Sequence, residues 1–345
     1  MNRLPILILY CLLPVAVLGA DAPDPLFDSA DMLDLTLTAP FDLIDDERDK
    51  EKKYEGSLSY LDATGAEVVL DAQFSVRGNW RLDKRNCRYS QLWINLRRGQ
   101  VQGTLFENQN RLKLVVQCNR ANRYADYIIK ELQAYQLFSE LSEIHFDTRL
   151  VNVSYADSER PNNSRNHIAF FIEHQNRLAD RFGFSEVELN TIPREELNKQ
   201  QSKLMSLFMY LLGNTDYSMI QGPEDEECCH NAKLLQNPAG EYIPVPYDFD
   251  ASGFVDTTYA PEPNPAFSLR NNRQRLYRGF CVSEEELNGA IAEFMESREQ
   301  MTAIVADTTY VSSRSANRTL GYMEDFFEIL EDPRRIEREF VDDCR

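Results

Sequence analysis

The hydrophobic period of this chain changes along its length, and that change limits its fold more than any other feature. Tyr54–Leu61 and Val68–Val76 alternate apolar and polar residues, and Asp62-Ala63-Thr64-Gly65 between them is a hairpin signal. Leu92–Leu96 and Arg111–Gln117 read as further strands, with 99–110 as a loop. From Tyr124 to Leu141 the period lengthens, because Ile128, Leu132, Tyr135 and Leu137/Phe138 recur at helical spacing. Thr148–Tyr155 and His167–Glu173 return to strand character around a polar loop. Beyond Ser185 the pattern is mainly helical. Lys203–Leu212 reads as a buried helix, Ala232–Gln236 and Tyr242–Tyr247 as a small hairpin, and 283–306 and 320–340 as helices, the last broken at Pro333. This order predicts an α+β chain with a β-rich first half, a helical second half and a boundary near residues 181–185.

The start of the chain bears on its compartment. Residues 1–20 carry Arg3, then an apolar run from Leu4 to Leu18, then small residues before an acidic, proline-containing stretch. That is the layout of a cleaved secretory signal, and the run is short for a membrane span. An exported chain, periplasmic or extracellular, is therefore expected, with no membrane span once the signal is removed. Cys87, Cys118, Cys228, Cys229, Cys281 and Cys344 then form an even set suited to disulfides in an oxidising compartment. Direct bonding of the adjacent Cys228 and Cys229 requires a strained small ring, so pairings that avoid it are favoured. A zinc site is the competing reading, but CxxC spacing is absent and His230 alone lies near a cysteine.

Charge sets limits on partners. Fifty-six acidic residues against 37 basic give a net charge of −19. A chain so acidic lacks the basic face that nucleic acid requires. Residues 21–53 mix acids with proline and end in a charged run, and read as an acidic extension ahead of the first strand.

One region concentrates chemistry. The buried helix runs into Leu212-Gly213-Asn214-Thr215-Asp216; His230-Asn231 opens a strand; the next strand closes on Pro246-Tyr247-Asp248-Phe249-Asp250. An acid, then an amide, then a pair of acids in this order is how protein kinases supply a proton acceptor and hard oxygen ligands for Mg²⁺. A common turn at 214–216 and a calcium-binding or plain turn at 248–250 are the competing readings. His145, His167, His174 and His230 show no HExxH or triad-like spacing. Asn152, Asn162 and Asn317 lie in Asn-x-Ser/Thr sequons, which matter only in a eukaryotic secretory pathway.

Here the chain resembles the CotH spore-coat kinase family of secreted and bacterial atypical kinases. The resemblance rests on Ser75-Val76-Arg77-Gly78-Asn79, Leu112-Lys113-Leu114 with the following Glu131-bearing helix, 168–173, 211–216, His230-Asn231 and 246–250, and covers residues 55–280. Val76 and Trp80 depart from the family pattern, the gap from Asp216 to Asn231 carries an acidic insert with two cysteines, and no Gly-rich phosphate loop is evident. The resemblance implies a two-lobed kinase-like fold, with a β-rich N-lobe at 54–182 and a helical C-lobe at 183–345. It implies transfer of a phosphoryl group from ATP, with Mg²⁺ or Mn²⁺, to a hydroxyl on an unknown protein or small-molecule acceptor. Asp216 would be the proton acceptor, with Asn231, Asp248 and Asp250 as metal ligands. Lys113, paired with Glu131, and Arg77 would hold phosphates, and Glu173 would sit beside the adenine. The alternative from another class is a disulfide-stabilised binding or envelope-assembly protein without catalysis.

Overall fold

A computed structural model of the chain describes residues 24–345 apart from Asp225 and Asp343; the secretory-signal segment lies outside the described residues. The first half contains β1 (Leu33–Ala39), α1 (Phe41–Glu47), β2 (Tyr54–Leu61), β3 (Glu67–Arg77), β4 (Gln91–Leu96), α2 (Arg98–Val101), β5 (Arg111–Val116), α3 (Asn122–Ser139), β6 (Thr148–Asp157), β7 (Arg165–Ile172) and α4 (Gln175–Phe182). The second contains β8 (Ser185–Glu186), α5 (Lys199–Leu212), β9 (Ala232–Gln236), β10 (Tyr242–Pro246), α6 (Glu284–Glu296), α7 (Arg298–Ala306), α8 (Ser313–Leu330) and α9 (Pro333–Ile336).

The two-lobed kinase-like arrangement is not what forms. The first seven strands close into a barrel in the order β1-β2-β3-β4-β5-β7-β6, and helices pack around it. The cause lies in the stretch expected to be an acidic extension. Its Leu33-Asp34-Leu35-Thr36-Leu37-Thr38-Ala39 alternates with period two, and Leu35, Leu37 and Ala39 are buried. As β1 it pairs antiparallel with β2 and parallel with β6. One strand thereby joins what would otherwise be the two open edges of the sheet. The remaining strands form close to where their alternation predicts. The expected helix at 283–306 is divided at Ser297 into α6 and α7, and the expected 320–340 helix begins earlier, at Ser313, and breaks before Pro333.

Alternation fills the barrel and also equips its outer wall. Leu112, Leu114 and Val116 of β5 point into the barrel core with Leu92, Ile94, Phe74 and Phe171. Val115 of β5 and Phe170 and Ile172 of β7 face outward into a second core, which α3 shares with α5, α6 and α8. Helix α3 is thus packed between barrel wall and helical layer, and its ring of Tyr135 lies 5.9 Å from Phe170. Lys113 shares the outward face with Val115, so a cation is carried under α3.

All six cysteines expected to pair do so, as Cys87–Cys118, Cys281–Cys344 and Cys228–Cys229. The last pair corrects the expectation that adjacent cysteines would not bond. The fold brings Cys87 and Cys118, and likewise Cys281 and Cys344, to Cα separations of 4.9 Å. Cys228 and Cys229 are then left with each other.

Candidate functional site

A charged cluster is buried between the barrel wall and α3. Lys113 is 2% exposed; its Nζ lies 3.5 Å from the centre of the Tyr247 ring and has no hydrogen-bond partner among the described residues. Glu131, on the face of α3 turned to the wall, is 1% exposed, and its Oε1 is likewise unpartnered. Arg81, in a single 3₁₀ turn at Trp80–Leu82, reaches three carboxylates: Asp250 Oδ2 at 3.0 Å, Glu131 Oε2 at 3.9 Å and Asp248 Oδ1 at 3.9 Å. Arg77 ends β3 with Nε and Nη2 buried and unpartnered, its guanidinium 5.9 Å from the Trp93 ring. The expected Lys113–Glu131 ion pair does not form; Arg81 is the cation that Glu131 meets.

Asp248 stands at the mouth of this cluster. Its backbone N–H donates to the Tyr135 hydroxyl at 3.1 Å, and its φ of +62° is a left-handed conformation that Asp tolerates better than most residues. One carboxylate oxygen, Oδ1, is buried without a hydrogen bond, while the side chain as a whole is 35% exposed. It therefore has one edge on the cluster and one on solvent.

Burial and mutual charge divide these groups. Burial pushes Lys113 well below its ordinary value, Arg77 pushes the same way, and Asp248 and Glu131 oppose. Burial raises Glu131, with Arg81 pulling against it. Asp250 is also raised by burial, against Arg81. Burial acts on Asp248 too, but Lys113, Arg81 and Arg77 outweigh it and hold Asp248 below its ordinary value. Asp248 is thus the one of the three carboxylates whose charged form the cluster favours.

Asp216 and Asn231 come from the helical half. Helix α5 ends at Gly213 with φ +62°, where an added Cβ would collide with the Tyr322 hydroxyl. Arg278 then holds the next turn by donating to the Thr215 carbonyl at 2.5 Å and the Tyr217 carbonyl at 2.7 Å. Asp216 is 64% exposed, with Oδ2 3.0 Å from His230 Nε2. That contact lowers Asp216 and raises His230 from their ordinary values. Asn231, at φ +46°, donates through Nδ2 to the Asp216 carbonyl, and its own carbonyl accepts from Tyr247 N at 3.2 Å. The 216–231 pair is thereby tied to the strand end that carries Asp248, whose charge also reaches Asp216 and His230. Beside Asp216 opens a cavity of about 410 Å³.

Lys113, Glu131, Arg77, Asp248 and Asp250 are therefore brought together, with Asp216 and Asn231 adjoining. Glu173 is not among them. It sits just beyond β7, buried, bonded to the Asp147 backbone N–H at 3.2 Å and to Arg181 at 3.0 Å. Burial raises it to about 7 against the pull of Arg181. Sequence reasoning missed Arg81 and the His230 contact. The signal for Arg81 was a second arginine four residues after Arg77, one position past Trp80, where the motif ends. Among the described residues no group of three or more His, Cys, Asp or Glu is arranged to hold a metal, and no helix is long and apolar enough to cross a membrane. No protein family, curated protein or solved structure matches the chain.

Proposed function

We propose that this protein transfers a phosphoryl group from a nucleoside triphosphate to a hydroxyl. The observation that carries the reading is the gathering of unpartnered buried atoms on Lys113, Arg77, Arg81, Glu131 and Asp248 around one half-open carboxylate. Buried charges without partners are costly, and a bound polyphosphate would supply what the three cations lack. Lys113 and Arg77 hold the phosphates. Arg81 positions Asp248 and Glu131. Asp216, next to the cavity, accepts the hydroxyl proton. The order of the motifs, shared with CotH-type kinases, supports the same assignment, although the barrel differs from the fold that likeness implied.

A divalent cation fits part of the arrangement. Asp248 offers an unpartnered oxygen, and Asn231 spends its Nδ2 on Asp216, which leaves its Oδ1 for a metal. Asp250 does not fit, since Arg81 holds it at 3.0 Å. One carboxylate and one amide with phosphate oxygens suffice for Mg²⁺, which keeps several waters. The ion, Mg²⁺ or Mn²⁺, would neutralise phosphate charge. In a chain of net charge −19, nucleotide without it should bind poorly.

Export to an oxidising compartment belongs to the same reading and rests on the three disulfides and the form of residues 1–20. By taking Asp250 from the metal, the Asp250–Arg81 pair favours a second reading, a binding protein without catalysis. Titration calorimetry of ATP with Mg²⁺ separates the readings. Asp248→Ala should weaken binding about tenfold or more with Mg²⁺ and change little without it. Equal binding by wild type and variant would remove the metal role. Binding without turnover to any hydroxyl would leave the second reading.

A further inference from the structure

We propose that the cavity beside Asp216 is a saccharide site, which, resting on the phosphotransfer reading, supplies the acceptor hydroxyl of that reaction. Its volume of about 410 Å³ lies within the ~300–1,000 Å³ of small-molecule sites and has room for a mono- or disaccharide. Asp216, Ser218, Gln221, His230, Asn264 and Phe267 line it.

Two of the three lining charges pair with each other, and the third, Arg278, has no carboxylate partner among the described residues and a buried, unpartnered Nε. Asp216 and His230 face each other at 3.0 Å, and Arg278, also in the wall, is directed to the Thr215 and Tyr217 carbonyls. Beyond Arg278, what the wall offers is neutral and polar. Asn264 Oδ1 accepts from Ala266 N, so its Nδ2 is free to donate. Ser218 Oγ accepts from Gln221 N at 3.1 Å and Ile220 N at 3.4 Å, so its O–H is free to donate. The Gln221 amide is exposed. The Phe267 ring adds an apolar surface, backed by the guanidinium groups of Arg278 at 4.8 Å and Arg345 at 5.6 Å. Amides, a hydroxyl and an aromatic ring beside an ion pair suit a polyhydroxylated ligand, whose hydroxyls can be met by neutral polar groups and whose apolar face can lie on the ring.

The step balances within the site. With Oδ2 on His230, Oδ1 of Asp216 takes the proton of the sugar hydroxyl. The oxygen bonds to the γ-phosphorus, the bond from that phosphorus to the β–γ bridging oxygen breaks, and the nucleoside diphosphate leaves.

Saturation-transfer NMR on the full chain tests the site, with maltose and diacetylchitobiose as probes and a serine peptide as control. At least one disaccharide should bind wild type. Phe267→Ala should weaken it about tenfold, and Phe267→Tyr, which keeps the ring, should not. With Mg²⁺-ATP, label should pass to the sugar, and Asp216→Asn should stop transfer. Failure of both disaccharides to bind, or equal binding by Phe267→Ala, overturns the inference. Label passing to the peptide alone overturns it and leaves phosphotransfer standing. Ring-dependent sugar binding without any nucleotide binding leaves the saccharide site standing and removes the phosphotransfer reading.

Discussion

Replacing Arg81 by Met would leave Asp250, Asp248 and Glu131 facing one another without their shared cation. Removing one partner of a buried ion pair costs about 3–5 kcal/mol, and the partial exposure of Asp248 puts this case at about 3. Urea unfolding would measure it, and adding Asp250→Asn to Arg81→Met should recover part of the loss. A stability unchanged by Arg81→Met would mean that the cluster is not held by this residue. At the neighbouring pair, His230 gains a partner in the fold, so its proton is held to higher pH than in an unfolded chain. Its contribution is complete below the ordinary histidine value near 6.5 and fades as pH rises through the raised value. NMR titration should place His230 above that ordinary value, and Asp216→Asn should bring it down. These roles were only partly legible in the sequence. Asp216, Asn231 and Asp248 announced themselves by order along the chain, whereas Arg81 gains meaning from three carboxylates that lie far from it in sequence.

Strands β2, β3, β4 and β6 were readable because one face of each lies in an apolar core and imposes alternation, whereas β5 and β7 bury both faces and stand out as short apolar runs. Strand β1 alternates just as plainly at Leu33, Leu35 and Leu37, but the acids and prolines around it mask the pattern. Closure is a property of pairing, and no local signal names the partner of an edge. Leu37 is fully buried in the barrel core, so Leu37→Ala should cost about 2–5 kcal/mol by urea unfolding. A loss below about 1 would mean that β1 is dispensable to the barrel. Strand β7 carries a pH dependence of its own. His167 lies between the rings of Tyr89 and Tyr155, its Nδ1 unpartnered, and burial, helped by Arg165, pushes it down to about 4. The unfolded chain takes up that proton more readily than the fold does. Stability should therefore hold above about pH 6.5, fall as pH drops toward 4, and level off below. Comparing urea midpoints of wild type and His167→Phe across this window would test it; parallel losses in both would assign the acid sensitivity elsewhere.

At the scale of the molecule, covalent links sit where the chain makes few regular contacts. Cys281–Cys344 fastens the C-terminal end to the segment before α6, where Cys281 N also meets the Arg345 carbonyl at 3.0 Å. Closing a loop of sequence separation 63 is worth about 4 kcal/mol in the chain-entropy account. A Cys281→Ser, Cys344→Ser double variant should unfold at lower urea by about that amount, and an unchanged midpoint would mean that noncovalent packing alone secures the terminus. The pairing of the cysteines, like the barrel, is set by which ends the fold brings together, and spacing along the sequence does not encode it. The parallel pairing of β1 with β6 also has a consequence for how the protein is made. Leu33 leaves the ribosome long before its partner Val151 exists, and can meet at first only β2. Barrel closure must wait for a late-arriving strand across a long intervening loop, a slow event by its topology. Until then the nascent chain stays unclosed, with β1 held by β2 alone.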